Sequence, residues 1–228
     1  EAGCWALCNL CGTADDLAKV VGVGGVEAVV AGMRAHEGVV GVQEHGCGAL
    51  CNFCGSAENK AKVAALGGIE AVVAGMRAHA GVAGVQEAGC RAVRNICGHA
   101  GNQGKVAGGG GIEAVLAGMH AHEGDVGVQE QGCSALCSIC GSAENQALVA
   151  ALGGVEAVVA GMRAHAGAAG VNEKGCAALR NLCTDADSVR QMRALGTVRE
   201  VVERARAAYP ESARVQEWGG FVLGKLVG

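Results

Sequence analysis

Three stretches of the chain carry Cys-x3-Cys-x2-Cys: Cys4/Cys8/Cys11, Cys47/Cys51/Cys54 and Cys133/Cys137/Cys140. On a loop, that spacing could bind an iron–sulfur cluster through thiolates. Two further copies put Arg94 and Arg180 where the middle cysteine would stand, and arginine cannot replace a cluster ligand. On a helix, residues i, i+4 and i+7 share one face, and an unmodified cysteine is a small core residue. These cysteines therefore read as packing. Zinc needs four ligands converging within ~2.0–2.3 Å of the ion. Cys8, Cys51 and Cys137, with His45 beside them, fall one per helix on helices that pack ~8–10 Å apart. His36, His79, His122 and His165 read as four equivalent helix ends. Glycine-rich stretches at 21–26 and 108–111 precede helix starts, a geometry that can hold phosphate. No Lys-Ser/Thr follows them and no strand precedes them, so they read as junctions. No Ser-His-Asp set and no acid/base pair of carboxylates can be placed. The chain is expected to be non-catalytic, with no metal and no cofactor.

The elements behind these residues follow a strict period. Gly-Cys recurs at Cys4, Cys47, Cys90, Cys133 and Cys176, a step of 43 residues, and all 13 cysteines fall on the repeat. A period in the range of ~20–50 residues is the mark of a solenoid or propeller. In residues 42–84, Val42, Gly46/Cys47, Leu50 and Phe53/Cys54 form the apolar stripe of a helix with one buried face. Ser56 is the expected N-cap of a short helix ending near Leu66. Gly67-Gly68 closes it and opens a further helix with Val72, Val73 and Met76 inward and Glu70 in its first turn. His79 closes that helix, and residues 80–84 link it to the next unit. Glycine pairs at 24–25, 110–111 and 153–154 mark the same junction, as Met33, Met119 and Met162 mark the same helix.

Composition limits the function classes. The chain is 50% hydrophobic but 2% aromatic, with 40 glycines and one proline, so its core must come from close packing of small side chains. No apolar run reaches the ~18 residues of a membrane span; the best candidate, 20–30, is cut by Glu27. No basic segment followed by an apolar run opens the chain, so no signal peptide is expected. The net charge of −4 argues against nucleic acid. An odd number of cysteines on helix faces is poor material for a disulfide framework, which points to a reducing compartment, cytoplasmic or nuclear.

Short helix, Gly-Gly, helix, glycine-rich turn and a long helix ending Ala-Leu-x-Asn-Leu together resemble the armadillo repeat. Residues 5–10, WALCNL, resemble the Trp-x-x-x-Asn signature on the third helix of importin-α. The resemblance covers the whole chain and implies an all-α, right-handed α-solenoid of three-helix repeats of the importin-α and β-catenin kind. The units run 1–41 (partial), 42–84, 85–127, 128–170 and a diverged, charged 171–214, with a capping helix at 215–228. Charge rises from Thr184 onward, as the exposed face of a terminal repeat requires. Residues 1–228 are expected to be the C-terminal part of a longer array.

On the long helices, steps of four align Glu1-Trp5-Asn9, Glu44-Gly48-Asn52, Glu87-Arg91-Asn95, Glu130-Ser134-Ser138 and Glu173-Ala177-Asn181. Stacked, they form a ladder on the concave surface. An Asn amide both donates and accepts, as an extended peptide backbone requires; alternatively, these Asn brace helices within the repeat. In importin-α, Trp walls beside such Asn clasp basic signals. Here only Trp5 keeps the wall, Ser138 breaks the Asn row, and Arg91, Arg94, Lys174 and Arg180 mix the sign of the groove. The expected function is a scaffold or adaptor binding an extended peptide or disordered segment through Trp5, Asn9, Glu44, Asn52, Glu87, Arg91, Arg94, Asn95, Glu130, Ser138, Glu173 and Asn181. The alternative is a structural spacer in a large ciliary or cytoskeletal assembly.

Overall fold

The computed structural model describes residue 3, residues 14–184 and residues 186–227. Among the described residues there are 15 helices and no strand. The chain enters through α1 (Ala14–Gly22), α2 (Gly25–Ala35) and the long α3 (Val40–Phe53). The same short, middle and long sequence recurs as α4 (Ala57–Ala65), α5 (Gly68–Ala78) and α6 (Ala83–Cys97), then as α7 (Ala100–Gly108), α8 (Gly111–Ala121) and α9 (Val126–Ile139). It recurs again as α10 (Ala143–Ala151), α11 (Gly154–Ala164) and α12 (Ala169–Leu182), and finally as α13 (Ala186–Leu195), α14 (Thr197–Ala208) and α15 (Ala213–Leu226). The protein is an α-solenoid in which each long helix packs along the next, α3 on α6, α6 on α9, α9 on α12 and α12 on α15.

Local chemistry sets the helix ends. Ser56 Oγ accepts a hydrogen bond from the Asn59 amide at 3.1 Å, and Ser142 caps α10 through Asn145 in the same way; both satisfy an otherwise open N–H of the first turn. At the junction, Gly67 has φ of +84°, which only glycine adopts without a steric penalty. A Cβ on Gly68 would stand 2.6 Å from Val63 Cγ1 and 2.8 Å from Val63 O, so the second glycine is needed for close approach. The link into the long helix is shorter than the sequence suggests: α6 begins at Ala83 and takes Gly84 into its first turn.

The core runs unbroken along the array as Val, Ile, Leu, Met and Cys, with Phe53 fully buried. Methionine fits because glycine faces it: a Cβ on Gly46 would lie 2.5 Å from Met33 Cγ, and Gly132 and Gly175 stand in the same relation to Met119 and Met162. One buried amide per unit ties the middle helix to the long one. Gln86 Nε2 donates to Met76 O at 2.8 Å and His79 O at 2.9 Å, and Gln43 and Gln129 repeat this with Met33/His36 and Met119/His122. These carbonyls lie at a helix end; the His carbonyls also accept from the link backbone, as His79 O does from Val82 N at 3.0 Å, and the glutamine adds the bond that ties this end to the long helix. Gln216 does the same in the last unit for Arg206 O and Tyr209 O.

Repeats are also tied edge to edge. His79, His122 and His165 set Nε2 against Glu37 O, Ala80 O and Glu123 O at 2.7, 2.8 and 2.7 Å. Tyr209 OH continues the row to Ala166 O at 2.9 Å. A carbonyl only accepts, so each imidazole carries its proton on Nε2. The histidine row fastens each unit to the one before it.

Candidate functional site

The predicted ladder lies on the long helices, and the structure divides it into parts with different duties. Trp5 and Asn9 lie outside the described residues. Asn52 is exposed in the last turn of α3, while Asn95 and Asn181 are half-buried near the ends of α6 and α12. Asn95 Nδ2 donates to Cys51 O at 3.2 Å and to Cys51 Sγ at 3.0 Å. Asn181 Nδ2 does the same to Cys137 O at 3.0 Å and Cys137 Sγ at 3.3 Å. Their Oδ1 atoms face Arg94 Nε at 3.1 Å and Arg180 Nη1 at 3.5 Å. The expectation that these amides stand open to a peptide backbone is corrected: their donors reach across to the preceding repeat. Ser138, where the row lacks Asn, turns its hydroxyl back to Ser134 O at 3.1 Å.

The glutamates face the next long helix. A Cβ on Gly84 would lie 2.9 Å from Glu44 Oε2, and one on Gly127 would lie 2.5 Å from Glu87 Oε2; Gly170 stands against Glu130 in the same way. All three glycines are in the first turn of a long helix. Glycine lets the carboxylate approach that positive end, where a negative charge is favoured. In the last unit Arg214 takes the glycine's place, and Glu173 bonds to its Nη1 at 2.9 Å and to Lys174 Nζ at 2.9 Å. Partial burial pushes the Glu173 pKa up, but the two cations outweigh it and hold the carboxyl below its ordinary value.

Between α3 and α6 the glutamates leave an open polar recess of about 230 Å³, lined by Glu44, His45, Gly48, Gly84, Glu87, Ala88 and Arg91. The missing side chain at Gly48 makes room for it. Among the described residues, Arg91 Nε is buried with no hydrogen-bond partner. Arg94 reaches the other way, with Nη1 3.5 Å from Gln131 Oε1 on α9. The recess therefore brings together Glu44, Glu87 and Arg91 from the predicted set, with His45 added. Arg94, Asn95, Ser138 and Asn181 belong to contacts within the scaffold.

Sequence reading missed Phe221. Residues 215–228 read as a cap, yet the extra residue near Tyr209-Pro210 places Phe221 in the wall row of Trp5, Gly48, Arg91, Ser134 and Ala177. It is 41% exposed, with Arg180 Cζ 5.5 Å and Lys225 Nζ 5.5 Å from its ring centroid. Arg214 Cζ lies 5.9 Å from the Trp218 ring. Counting the 44-residue last step along the row would have found it.

Among the described residues the cysteines form no reactive centre. Burial, and then the neighbouring Cys51 thiol, push the Cys47 pKa up to about 12. Burial also raises Cys90, Cys133 and Cys176 to about 12. Such thiols stay protonated at neutral pH, and the thiolate is the form that attacks or binds metal.

Neither a protein-family model nor a curated protein matches the sequence. Among solved structures, the chain is similar to one from work on a conserved phosphorylation switch controlling the interaction between cadherin and β-catenin. The TM-score is 0.50 at 16% identity, covering 96% of this chain and 48% of the other. The chain thus spans about half the length of that relative, and at this identity the likeness is one of fold.

Proposed function

We propose that this armadillo-type solenoid is a non-catalytic protein-binding scaffold that holds an extended segment along the face of its long helices. The observation that carries the reading is the recess between α3 and α6, where Glu44, Glu87 and Arg91 meet around the gap left by Gly48. Two carboxylates and the Arg91 guanidinium offer both signs to a ligand. A segment with mixed charge therefore fits better than a uniformly basic one. The solved structure with the same fold comes from an interaction between cadherin and β-catenin, which supports a protein partner by analogy of fold. The buried, protonated cysteines suit a reducing compartment, cytoplasmic or nuclear.

A second reading, a rigid spacer in a larger assembly, is favoured by one observation: Asn95 and Asn181 bind their own scaffold. Peptide selection from a random library on the immobilised chain separates the two. For a scaffold, enriched peptides lose binding to the Glu44→Gln/Glu87→Gln/Arg91→Ala variant and keep it for Glu70→Gln/Glu113→Gln, on the exposed sides of α5 and α8. Circular dichroism checks that both variants are folded. If no peptide is enriched, or the two variants bind alike, the spacer reading stands.

A further inference from the structure

We propose that the Arg180–Phe221–Lys225 cluster, where α15 lies against α12, docks an acidic stretch of a protein segment. This rests on the scaffold reading and names the chemistry of one end of its ligand. Two cations from different repeats are held at one half-exposed ring, each 5.5 Å from its centroid. A ring face attracts a cation, but two like charges around one ring also repel each other. Among the described residues, neither Arg180 nor Lys225 has an ion-pair partner. Nearby, Glu173 is already balanced by both Lys174 and Arg214. The remaining acid on this part of α15 is the exposed Glu217, four residues before Phe221. Arg193 adds a further cation by donating to Lys225 O at 2.8 Å. Among the described residues no carboxylate pairs with either cation of this cluster, which leaves it open to one from outside.

The rest of the molecule argues for a local site. Residues 1–170 carry nine Lys/Arg against fifteen Asp/Glu, whereas residues 171–228 carry nine against seven. A polyphosphate backbone running along the array would meet Glu130, Glu87 and Glu44 beyond the cluster. A protein segment with one short acidic stretch need not. The exposed edge of Phe221 also offers apolar contact, which a partner of amino acids can use beside its carboxylates.

The test uses the full chain and a fluorescein-labelled peptide of alternating Glu and Ser, with the Gln-Ser peptide as its neutral counterpart. Fluorescence anisotropy at low salt is expected to show the Glu-Ser peptide binding and the Gln-Ser peptide not. Arg180→Gln/Lys225→Gln should weaken binding at low salt about tenfold, since the peptide loses both exposed cations it would pair with. Phe221→Leu, which keeps bulk but loses the ring, should weaken it about threefold by releasing both. Arg34→Gln/Arg77→Gln removes two exposed cations on α2 and α5, in earlier units, and should change nothing. An equal loss in this control pair overturns the proposal in favour of general charge attraction. So does no binding by the wild type, or tighter binding of single-stranded DNA or anionic vesicles through the same cluster. Retained library selection at the α3–α6 recess alongside any of these would leave the scaffold reading intact. Loss of that selection with binding kept here would remove the recess alone.

Discussion

Asn95 of α6 reaches back 44 residues to Cys51 of α3, giving its amide to both the carbonyl and the thiol sulfur. The bond spans two repeats at the edge of the face where a ligand would lie, and Asn181 repeats it with Cys137. Asn95 and Asn181 therefore help to hold neighbouring repeats together.

Asn95→Ala should lower stability by about 1 kcal/mol, because the Cys51 carbonyl loses this donor and keeps the Cys54 N–H. Urea unfolding of the wild type and variant measures it. Asn181→Ala should cost a similar amount. No stability change in either would mean that water replaces the amide at once.

The glutamine between middle and long helix should matter more. Gln86→Leu takes its donor from the Met76 carbonyl, while His79 O keeps the Val82 N–H, and should cost about 1–3 kcal/mol. Solenoid stability is a sum of units and interfaces, so weakening an interior unit should also broaden or split the unfolding transition. A single sharp transition at the wild-type midpoint would contradict this.

Gly89→Ala places a methyl 2.6 Å from Met76 Sδ, which forces the thioether to move and should cost about 1–3 kcal/mol. Met76→Ala opens space there. The double variant should therefore be more stable than the sum of the two single losses, and a double-mutant cycle shows the coupling.

The buried thiols make stability depend on alkaline pH. Cys47, Cys90 and Cys133 hold their protons to about 12 in the native state against an ordinary value of 9.0. Their contribution is fully present below pH 9 and is lost as pH rises towards 12, because the unfolded chain ionises first. The urea midpoint should fall steeply above pH 9, and less so in a Cys47→Ala/Cys90→Ala variant. Glu173 acts in the opposite direction: its lowered pKa adds stability above its ordinary value of 4.5 that is lost on acidification.

Glu87→Gln removes the carboxylate lying against Gly127 in the first turn of α9. The expected cost is about 0.3–1 kcal/mol, reduced by salt. If the cost does not respond to ionic strength, the carboxylate acts through packing instead.

How much of this was legible in the sequence depends on the range of each interaction. The Gly67-Gly68 junction, the Ser56 cap and the stripe of Val42, Cys47, Leu50 and Phe53 depend on neighbours within a few residues, and the sequence shows them directly. The period of 43 carries them into every unit and sets the solenoid without reference to coordinates. Periodicity also puts Asn95, Glu87 and Phe221 on the long-helix face. It leaves open which neighbour each meets, because Cys51, Gly127 and Arg180 lie 40 or so residues away along the chain. How adjacent long helices turn and slide against each other decides that, and only the folded array sets it. The sequence by itself determined the repeat, its helices and its buried stripe. The tertiary structure alone decided that Asn95 and Asn181 brace the scaffold, that the glutamates meet the next helix, and that Phe221 gathers two cations.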